Sequence, residues 1–546
     1  MAQMSGSSKR SLTAAALFSC VMVGGLLASC ASSSSSTRGS PGKGGRVLLV
    51  GSLKGHVGQY STVQAAVNAA HPGDWILVAP GDYHEVADQS TSASDASYGD
   101  FGGVLITKSN IHLRGMSRAK VIVDGTSRQS STPCSSEAAD QNFGPVGSDG
   151  KAYGRNGILV WKANDVSIEN LTVCNFLGGT GDAGNEIWWN GGDGSGKIGL
   201  AGYKGRYLTA TSTYFGTEDT AAKYGIFSSD AQGPGSWAHL YASNFNDSGM
   251  YVGACHQACH VTISDAWMEY DALGYSGTNS GGAVVIENSQ FDDNEDGVDT
   301  NTQLNGDPPA PQNGSCLGRT VGSVTHSHSC WVFVHNDVHN NNNADVPVAG
   351  NAAAGPTGTG MTISGGRNDT VMDNTFSDNG AWGILFVPYP DDNPPSLHQT
   401  CSGTGGVEQS GLGCVYDPEG DALLNNTFSH NGYFGNPSNA DFGQITISGH
   451  QPQNCFAGNK APDGSAPANL ETSQAVCGKL TTAANTGGPL LGQVLCDTGF
   501  GSCPTGAQYP QAGKVVMHRL PAGLRSMPNP CQGVPDNAWC PDGRPV

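Results

Sequence analysis

The sequence predicts an all-β fold, a single-stranded right-handed parallel β-helix with three-strand coils of about 22–25 residues and an N-terminal capping helix. Three observations predict it: a strand phrase that repeats, a glycine that recurs at a steady interval, and one helical segment before the first repeat. Composition agrees. Gly makes up 79 of 546 residues and charged residues 13%, about twice and about half the usual shares, which suits short strands joined by many turns.

The helical segment covers residues 60–70, where apolar side chains follow helical spacing and Ser61 or Thr62 is placed as the N-cap. A Pro-Gly-Asp turn and the strand 75–78 come next. This passage resembles the opening segment of pectin-lyase-like β-helix proteins, where a short helix caps the first coil. The resemblance implies an architecture and no particular reaction. A solenoid needs such a cap because its open end exposes an unpaired strand edge.

The repeated phrase is clearest in Ile-Glu-Asn-Leu-Thr-Val (168–173) and Ile-Glu-Asn-Ser-Gln-Phe (286–291). Looser copies, each with Asn or Asp in a turn before an apolar residue, lie at 242–245, 264–267, 335–338, 373–376 and 425–428. A glycine opens the next strand at Gly225, Gly249, Gly274 and Gly297, at intervals of 24, 25 and 23 residues. That period is typical of a β-helix, whereas a β-propeller repeats at about 40–45 residues. Recurrent Asn at one turn predicts stacks that hydrogen-bond from coil to coil.

The first residues predict export. Lys9 and Arg10 precede an apolar stretch from Leu12 to Leu27, which is typical of a signal peptide. Its end, Leu-Ala-Ser-Cys30, resembles the bacterial lipobox and implies cleavage before Cys30 and a lipid on its sulfur; an ordinary cleaved signal is the alternative. We therefore expect an extracytoplasmic, lipid-anchored monomer at the cell membrane.

The predicted organisation has four parts. They are a lipoprotein signal peptide (1–29), a Ser/Gly-rich tether (30–45), the β-helix (46–460) and a Cys/Pro/Gly-rich C-terminal cap or tail (461–546). Fourteen cysteines remain after Cys20 and Cys30, an even number that predicts disulfides in an exported chain. Sequential pairing gives 134–174, 255–259, 316–330, 401–414, 455–477, 496–503 and 531–540, although spacing alone leaves the connectivity open.

The net charge of −20 argues against a nucleic-acid partner, since no basic surface is available for phosphates. The strongest candidate site is the acidic segment 291–301, with carboxylates at Asp292, Asp293, Glu295, Asp296 and Asp299. Oxygen ligands at this density suit calcium, and two opposed carboxylates suit acid–base attack on a glycosidic bond. An acidic turn without either role is the third interpretation.

Two resemblances meet in Asn-Glu-Asp-Gly-Val-Asp (294–299). It resembles the Asn-Thr-Asp-Gly motif of polygalacturonases, which implies that Asp296 is catalytic. It also resembles the Asp-Asp-Gly-Phe-Asp phrase near the calcium site of some pectate lyases. The further motifs of polygalacturonases and of alginate epimerases are absent, and neither Lys223 nor Arg319 is singled out by spacing as a lyase base. The predicted catalytic residues are Asp296, Asp299 and Glu295, and the predicted calcium ligands are Asp292, Asp293 and Asp296.

Strand alternation places Phe227, Tyr251, Ser276 and Asp299 on the outer surface of one sheet, with Ile226, Met250 and Val298 buried beside them. The two aromatic residues next to an acidic site predict a platform for sugar rings. The predicted substrate-binding residues are Phe227, Tyr251 and Asn301.

Histidines offer a second metal hypothesis. Cys-His-Gln-Ala-Cys-His (255–260) is either a metal loop or a small disulfide turn, and the oxidising location favours the disulfide. His326, His328, His335 and His339 surround Cys330, where zinc binding or plain polar surface are both compatible with the pattern.

These observations predict a surface-tethered β-helix that binds a polysaccharide and cleaves or modifies it, as a lyase, a glycoside hydrolase or an epimerase. The alternative is a non-catalytic adhesin or envelope scaffold. Whether a Lys, Arg or His side chain converges on Asp296 and Asp299 would separate these classes.

Overall fold

The computed structural model describes residues 45–86, 100–192, 197–255, 259–278, 283–301, 331–350, 355–366, 368–390, 413–447, 454–468 and 489–546, with short pieces at 89–90, 280, 352, 406–409, 470–473, 475–476 and 479–480. Parallel strands stack coil upon coil in chain order along three faces. The chain therefore folds as a right-handed parallel β-helix, the hand that parallel crossovers adopt.

Face 1 is a twelve-stranded sheet in which only the first pair is antiparallel. Its strands are β6 (Gln89–Ser90), β7 (Phe101–Ile106), β10 (Asn156–Trp161), β12 (Asn185–Asn190), β14 (Tyr224–Ser229), β17 (Ser248–Gly253), β20 (Leu273–Ser276), β23 (Asp296–Asn301), β26 (Thr359–Ser364), β29 (Trp382–Val387), β35 (Ala440–Gln444) and β37 (Ser465–Ala466).

Faces 2 and 3 are joined into one sheet because β11 (Val166–Cys174) and β13 (Leu200–Thr211) run around their common corner. Face 2 also contains β1 (Val47–Val50), β4 (Trp75–Val78), β8 (His112–Gly115), β15 (Ala231–Ala238), β18 (Val261–Ser264), β21 (Val284–Glu287), β24 (Trp331–Val334), β27 (Asp369–Met372), β33 (Ala422–Leu424) and β36 (Cys455–Ala457). Face 3 also contains β5 (Gly81–His84), β9 (Val121–Asp124), β16 (Tyr241–Ser243), β19 (Trp267–Glu269), β22 (Gln290–Asp292), β25 (Asp337–His339), β28 (Thr375–Ser377) and β34 (Thr427–Ser429).

Small antiparallel additions lie outside the coils: β2 (Ser52–Leu53) with β3 (His56–Val57), β30 (Tyr389–Pro390) and β31 (Gly406–Gln409) with β32 (Gly413–Tyr416), and β38 (Ala475–Val476) with β39 (Lys479–Leu480). The helices are α1 (Val63–Ala69), α2 (Leu470–Ser473) and α3 (Pro489–Asp497). Helix α1 is the predicted cap of the first coil, and its N-cap is Thr62, whose hydroxyl accepts the Ala65 amide at 3.2 Å.

From β15 onward, one residue in the left-handed region turns the chain at the corners that leave faces 2 and 3, and an inward Asn follows it in the later coils. These Asn side chains hydrogen-bond from coil to coil, as predicted. The first ladder joins Asn294, Asn341, Asn379 and Asn431 through amide bonds of 3.0, 3.1 and 3.0 Å. The second joins Asn336, Asn374, Asn426 and Asn459 at 3.1, 3.0 and 3.1 Å.

The recurrent glycine makes room for these interior polar groups. A Cβ at Gly297 would lie 2.8 Å from the Asn341 amide nitrogen, and one at Gly249 would lie 2.1 Å from a carboxylate oxygen of Asp271. Any larger residue would push the interior side chain out of its stack. The glycine recurs in the sequence because the interior polar side chain leaves no room for a Cβ at this position of the coil.

Disulfides and the C-terminal segment fasten the outside of the stack. The pairs 134–174, 255–259, 496–503 and 531–540 are present as predicted, so the 255–260 phrase is a disulfide turn. Cys414 and Cys455 are also disulfide-bonded, and Cys316, Cys330, Cys401 and Cys477 lie outside the described residues.

The tail runs back along the helix towards the first coils. The backbone amide of His518 donates to the Asn244 side chain at 2.8 Å, and that of Met527 donates to the Asn170 side chain at 3.0 Å. Trp539 then packs in a cluster with Leu49. Among the described helices, none is long and apolar enough to cross a membrane.

Candidate functional site

The central outward column of face 1 holds the predicted residues in one register. Phe227 pairs with Tyr251, Tyr251 with Ser276, and Ser276 with Asp299 on consecutive strands. The inward neighbours Ile226, Met250 and Val298 are fully buried. The strand parity expected from the sequence is therefore confirmed.

The aromatic end of this column is longer and tighter than predicted. Trp188, one coil before Phe227, stacks on it at a centroid distance of 5.1 Å, and Phe227 stacks on Tyr251 at 4.6 Å with the rings 4° apart. Phe227 is consequently only 6% exposed. The sequence predicted that Phe227 would offer a ring face to a sugar. This prediction is wrong, because aromatic residues one strand spacing apart cover each other. Tyr251 is half-buried and ends the stack nearest the acidic residues.

The acidic end of the column is built around Asp299. Its Oδ1 accepts the hydroxyls of Thr362 and Ser364, at 2.5 and 2.6 Å. Thr362 Oγ1 also lies 3.4 Å from Asp296 Oδ2. The two aspartates are thus brought together as predicted, with Thr362 between them and Asp299 partly open to solvent.

Asp296 and Glu295 lie in a drier position. Asp296 has no solvent exposure, and Glu295 accepts the Thr357 hydroxyl at 3.0 Å while 8% exposed. Burial raises the pKa of Asp296 well above its usual range, and the negative charges of Asp299 and Glu295 add to the shift. Burial also raises the pKa of Glu295 to about 7. A polymer lying on face 1 therefore reaches Asp299 but not Asp296.

A third carboxyl group on this surface was missed by sequence reasoning. Asp247, at the corner before β17, accepts the Tyr224 hydroxyl at 3.1 Å. Burial raises the pKa of Asp247 to about 6; the nearby Lys223 opposes the shift and Asp299 adds to it. Lys223 also lies 4.8 Å from the centre of the Tyr224 ring. Nothing in the Asp-Ser-Gly sequence around Asp247 distinguishes it from other turn residues, because its partners come from different coils.

The predicted calcium ligands are divided between two faces. Asp292 ends β22 on face 3, whereas Asp296 begins β23 on face 1, because the corner at Asp293 turns the chain between them. Asp296 therefore does not join the other two ligands. Glu269, paired with Asp292 on the preceding coil, takes its place: one carboxylate oxygen from each of Glu269, Asp292 and Asp293 lies within 4.8 Å of the others.

The chemistry of this second group fits a hard cation. The Tyr241 hydroxyl donates to Glu269 at 2.6 Å, and the Trp267 indole donates to Asp292 at 2.7 Å. Burial raises the pKa of Glu269 to about 7 and that of Asp292 to about 6. Three converging carboxylates supply the oxygen ligands that calcium prefers, with water completing its 6–8 positions. Bound calcium would supply charge neutralisation for these acids.

The Asn301 backbone pairs with Ser364 at the end of β23, and its side chain lies outside the described residues, as do Cys30, Arg319, His326 and His328. His335 is a left-handed corner residue, and His339 pairs in register with Asp292 on face 3.

No protein-family profile matches the sequence, and no curated protein matches it. Similar solved structures include the A-module of an Azotobacter vinelandii mannuronan C-5 epimerase (TM-score 0.44, 13% identity, covering 73% of this chain and 91% of that one). An alginate lyase from Paenibacillus sp. gives a TM-score of 0.35 at 11% identity over 77% of this chain and 97% of that one. Pectin methylesterase from Erwinia chrysanthemi gives 0.30 at 11% over 70% and 88%. At these TM-scores the similarities do not bear on function, and the fold assignment rests on the strand register.

Proposed function

We propose that the chain binds a polysaccharide along the outward column of face 1 and hydrolyses its glycosidic bonds with Asp299 and Asp247. The observation that carries the proposal is the single register that joins the aromatic stack to the acidic end of the column, from Trp188 through Tyr251 to Asp299. The ring of Tyr251 at the end of the stack and the carboxyl groups beside it suit the apolar face and the scissile bond of a sugar.

We assign hydrolysis by direct attack of water to these two acids. Asp247 and Asp299 belong to coils two steps apart, and the charge of Asp299 helps to raise the pKa of Asp247, so the two carboxyl groups are close enough to interact. Inverting glycosidases hold their carboxyl groups about 6.5–9.5 Å apart, which leaves room for a water molecule. Asp247, with its pKa near 6, is the proton donor to the glycosidic oxygen. Asp299 accepts a proton from the water that attacks the anomeric carbon as the bond to the leaving sugar breaks.

Asp296 has a positioning role in this proposal. It is fully buried and shares the Thr362 hydroxyl with Asp299. Replacing Asp296 with Asn should therefore lower the rate less than replacing Asp299, since the amide still occupies the space beside Thr362.

The test is a screen of neutral glycans and polyuronates for new reducing ends, for unsaturated products and for changes in sugar composition. We expect new reducing ends on a neutral glycan, with a 10²–10⁴-fold loss in Asp299→Asn, the usual contribution of a general acid or base. Asp292→Asn, on face 3, is the matched control and should keep full activity. Unsaturated products would indicate a lyase, altered composition without cleavage an epimerase, and binding alone a non-catalytic surface protein; each of these results contradicts hydrolysis.

We propose in addition that the β-helix is displayed at the membrane through a lipid on Cys30. One diacylglycerol supplies two acyl chains, enough for stable anchoring. Cys30→Ser should move the protein from the membrane fraction to the soluble one, and unchanged fractionation would exclude Cys30 as the anchor.

A further inference from the structure

A second surface, on face 2, has the form of a ligand site that the proposed reaction does not use. A cavity of about 500 Å³ lies over the first coils. Its floor is an in-register row of five outward side chains on successive strands, Trp75, His112, Ser167, Lys204 and Ser236. Ligand pockets usually enclose about 300–1,000 Å³.

The side chains in this row are held in place by contacts with one another. The His112 ring stacks on Trp75 at a centroid distance of 4.4 Å, and His112 Nδ1 lies 2.9 Å from the Ser167 hydroxyl. Burial lowers the pKa of His112; Glu169 opposes the shift, and Arg114 and Lys204 add to it. The imidazole is therefore uncharged at neutral pH and, like the hydroxyls, both donates and accepts hydrogen bonds.

The charges at this surface cancel. Glu169 is 1% exposed and bonds to Arg114 Nε at 2.8 Å, with Lys204 Nζ 3.1 Å from its other oxygen. Asp165 also lines the cavity. Two carboxylates and two cations leave no net charge for an ionic ligand, and the charge of −20 on the whole chain disfavours polyanions.

We infer that the face 2 cavity is a binding site for a neutral oligosaccharide, separate from face 1. The stacked rings of Trp75 and His112 supply an apolar wall for a sugar ring, and Ser167, Ser236 and His112 supply groups that pair with hydroxyls in either direction. The row spans four strand spacings, about 19 Å, which is long enough for several linked sugars. The site holds a second segment of polymer or a different glycan, and it does not depend on the reaction proposed for face 1.

The test is calorimetric titration of the full chain with cellohexaose, maltohexaose, mannohexaose and xylohexaose, with hexamannuronate as the anionic comparison. Ser236 is exposed at the end of the row, so Ser236→Phe should fill the cavity without disturbing the core. Thr262→Phe is the matched control, because Thr262 is the exposed register partner of Ser236 one coil beyond the cavity.

We expect at least one neutral hexasaccharide to bind and its affinity to fall tenfold or more in Ser236→Phe, with wild-type affinity in Thr262→Phe. Equal melting temperatures of the two Phe variants show that both fold. The inference is overturned if no neutral probe binds, if hexamannuronate binds more tightly than all of them, or if Ser236→Phe binds like the wild type. Loss of binding in Tyr251→Ala alone would assign the sugar to face 1.

Discussion

Two acidic groups that are adjacent in the sequence have different surroundings in the structure. Asp292 and Asp293 lie on face 3 with Glu269, where three carboxylates converge. Asp296 and Asp299, a few residues later, lie on face 1, where two hydroxyls bind Asp299 and an aromatic stack leads towards it. One corner, with Asp293 in the left-handed region, separates them.

The difference shows that the neighbours of these acids come from adjacent coils and not from their own segment. Asp292 lies beside Glu269 and His339, and Asp299 lies beside Ser276 and Thr362, through strand register alone. A single acidic run of sequence thus supplies two groups suited to different chemistry: cation binding on face 3 and proton transfer on face 1.

The largest expected effect tests the strand parity on which this division depends. Met250→Ala removes a fully buried side chain and should lower the free energy of unfolding by about 2–5 kcal/mol. Tyr251→Ala removes an outward ring stacked on Phe227, and should cost about 1 kcal/mol, the value of an aromatic pair. Chemical denaturation of both variants measures the difference. The reverse order would invert the parity and place Asp299 inside the coil.

The next effect separates the two acidic groups by their response to calcium. If Glu269, Asp292 and Asp293 hold the ion, calcium at a hundred times its Kd should raise the free energy of unfolding by about 2.7 kcal/mol. The gain should vanish in Asp292→Asn and persist in the face 1 control Asp299→Asn. Thermal melts with and without calcium measure it. A gain that is lost in Asp299→Asn and kept in Asp292→Asn would assign the ion to face 1.

The third effect, the smallest for a single pH unit, is a pH dependence of stability on face 3. The pKa of Glu269 is about 7 in the folded protein, above the unfolded value of about 4.3. Since the folded state holds this proton more tightly, its contribution is fully present below the unfolded pKa and is lost as pH rises to about 7.

In calcium-free buffer, Glu269→Gln should therefore flatten the fall in stability between pH 4.5 and 7, a fall of at most about 1.4 kcal/mol per pH unit for one group. Urea denaturation across this range measures the slope. Glu287→Gln, on face 2, serves as the control, and equal slopes in both variants would contradict the proton assignment to Glu269.

Much of the fold was predictable because its signals are local. The glycine interval arises because the interior beside Asn341 leaves no room for a Cβ. The recurrent Asn residues in the turns form the hydrogen-bonded ladders. Period-two alternation places Met250 inside and Tyr251 outside. The division of Asp292 from Asp296 was not predicted, because it depends on which residue of the acidic run takes the left-handed corner.

The rest of the site depends on register across loops of unequal length. Glu269 meets Asp292, and Thr362 meets Asp299 across a sequence separation of 63 residues, only after the coils have stacked. The burial of Phe227 has the same origin, since Trp188 lies over it from the preceding coil. Asp247 carries no motif of its own, and its partner Tyr224 is likewise supplied by another coil.

The most direct test of the account is the structure of Asp299→Asn in complex with an oligosaccharide from the glycan that the wild type cleaves. The account predicts sugar rings on face 1 that extend from Tyr251 to position 299, with a glycosidic oxygen within hydrogen-bond distance of Asp247. Sugar bound only on face 3 beside Glu269 and Asp292, with face 1 empty, would contradict it.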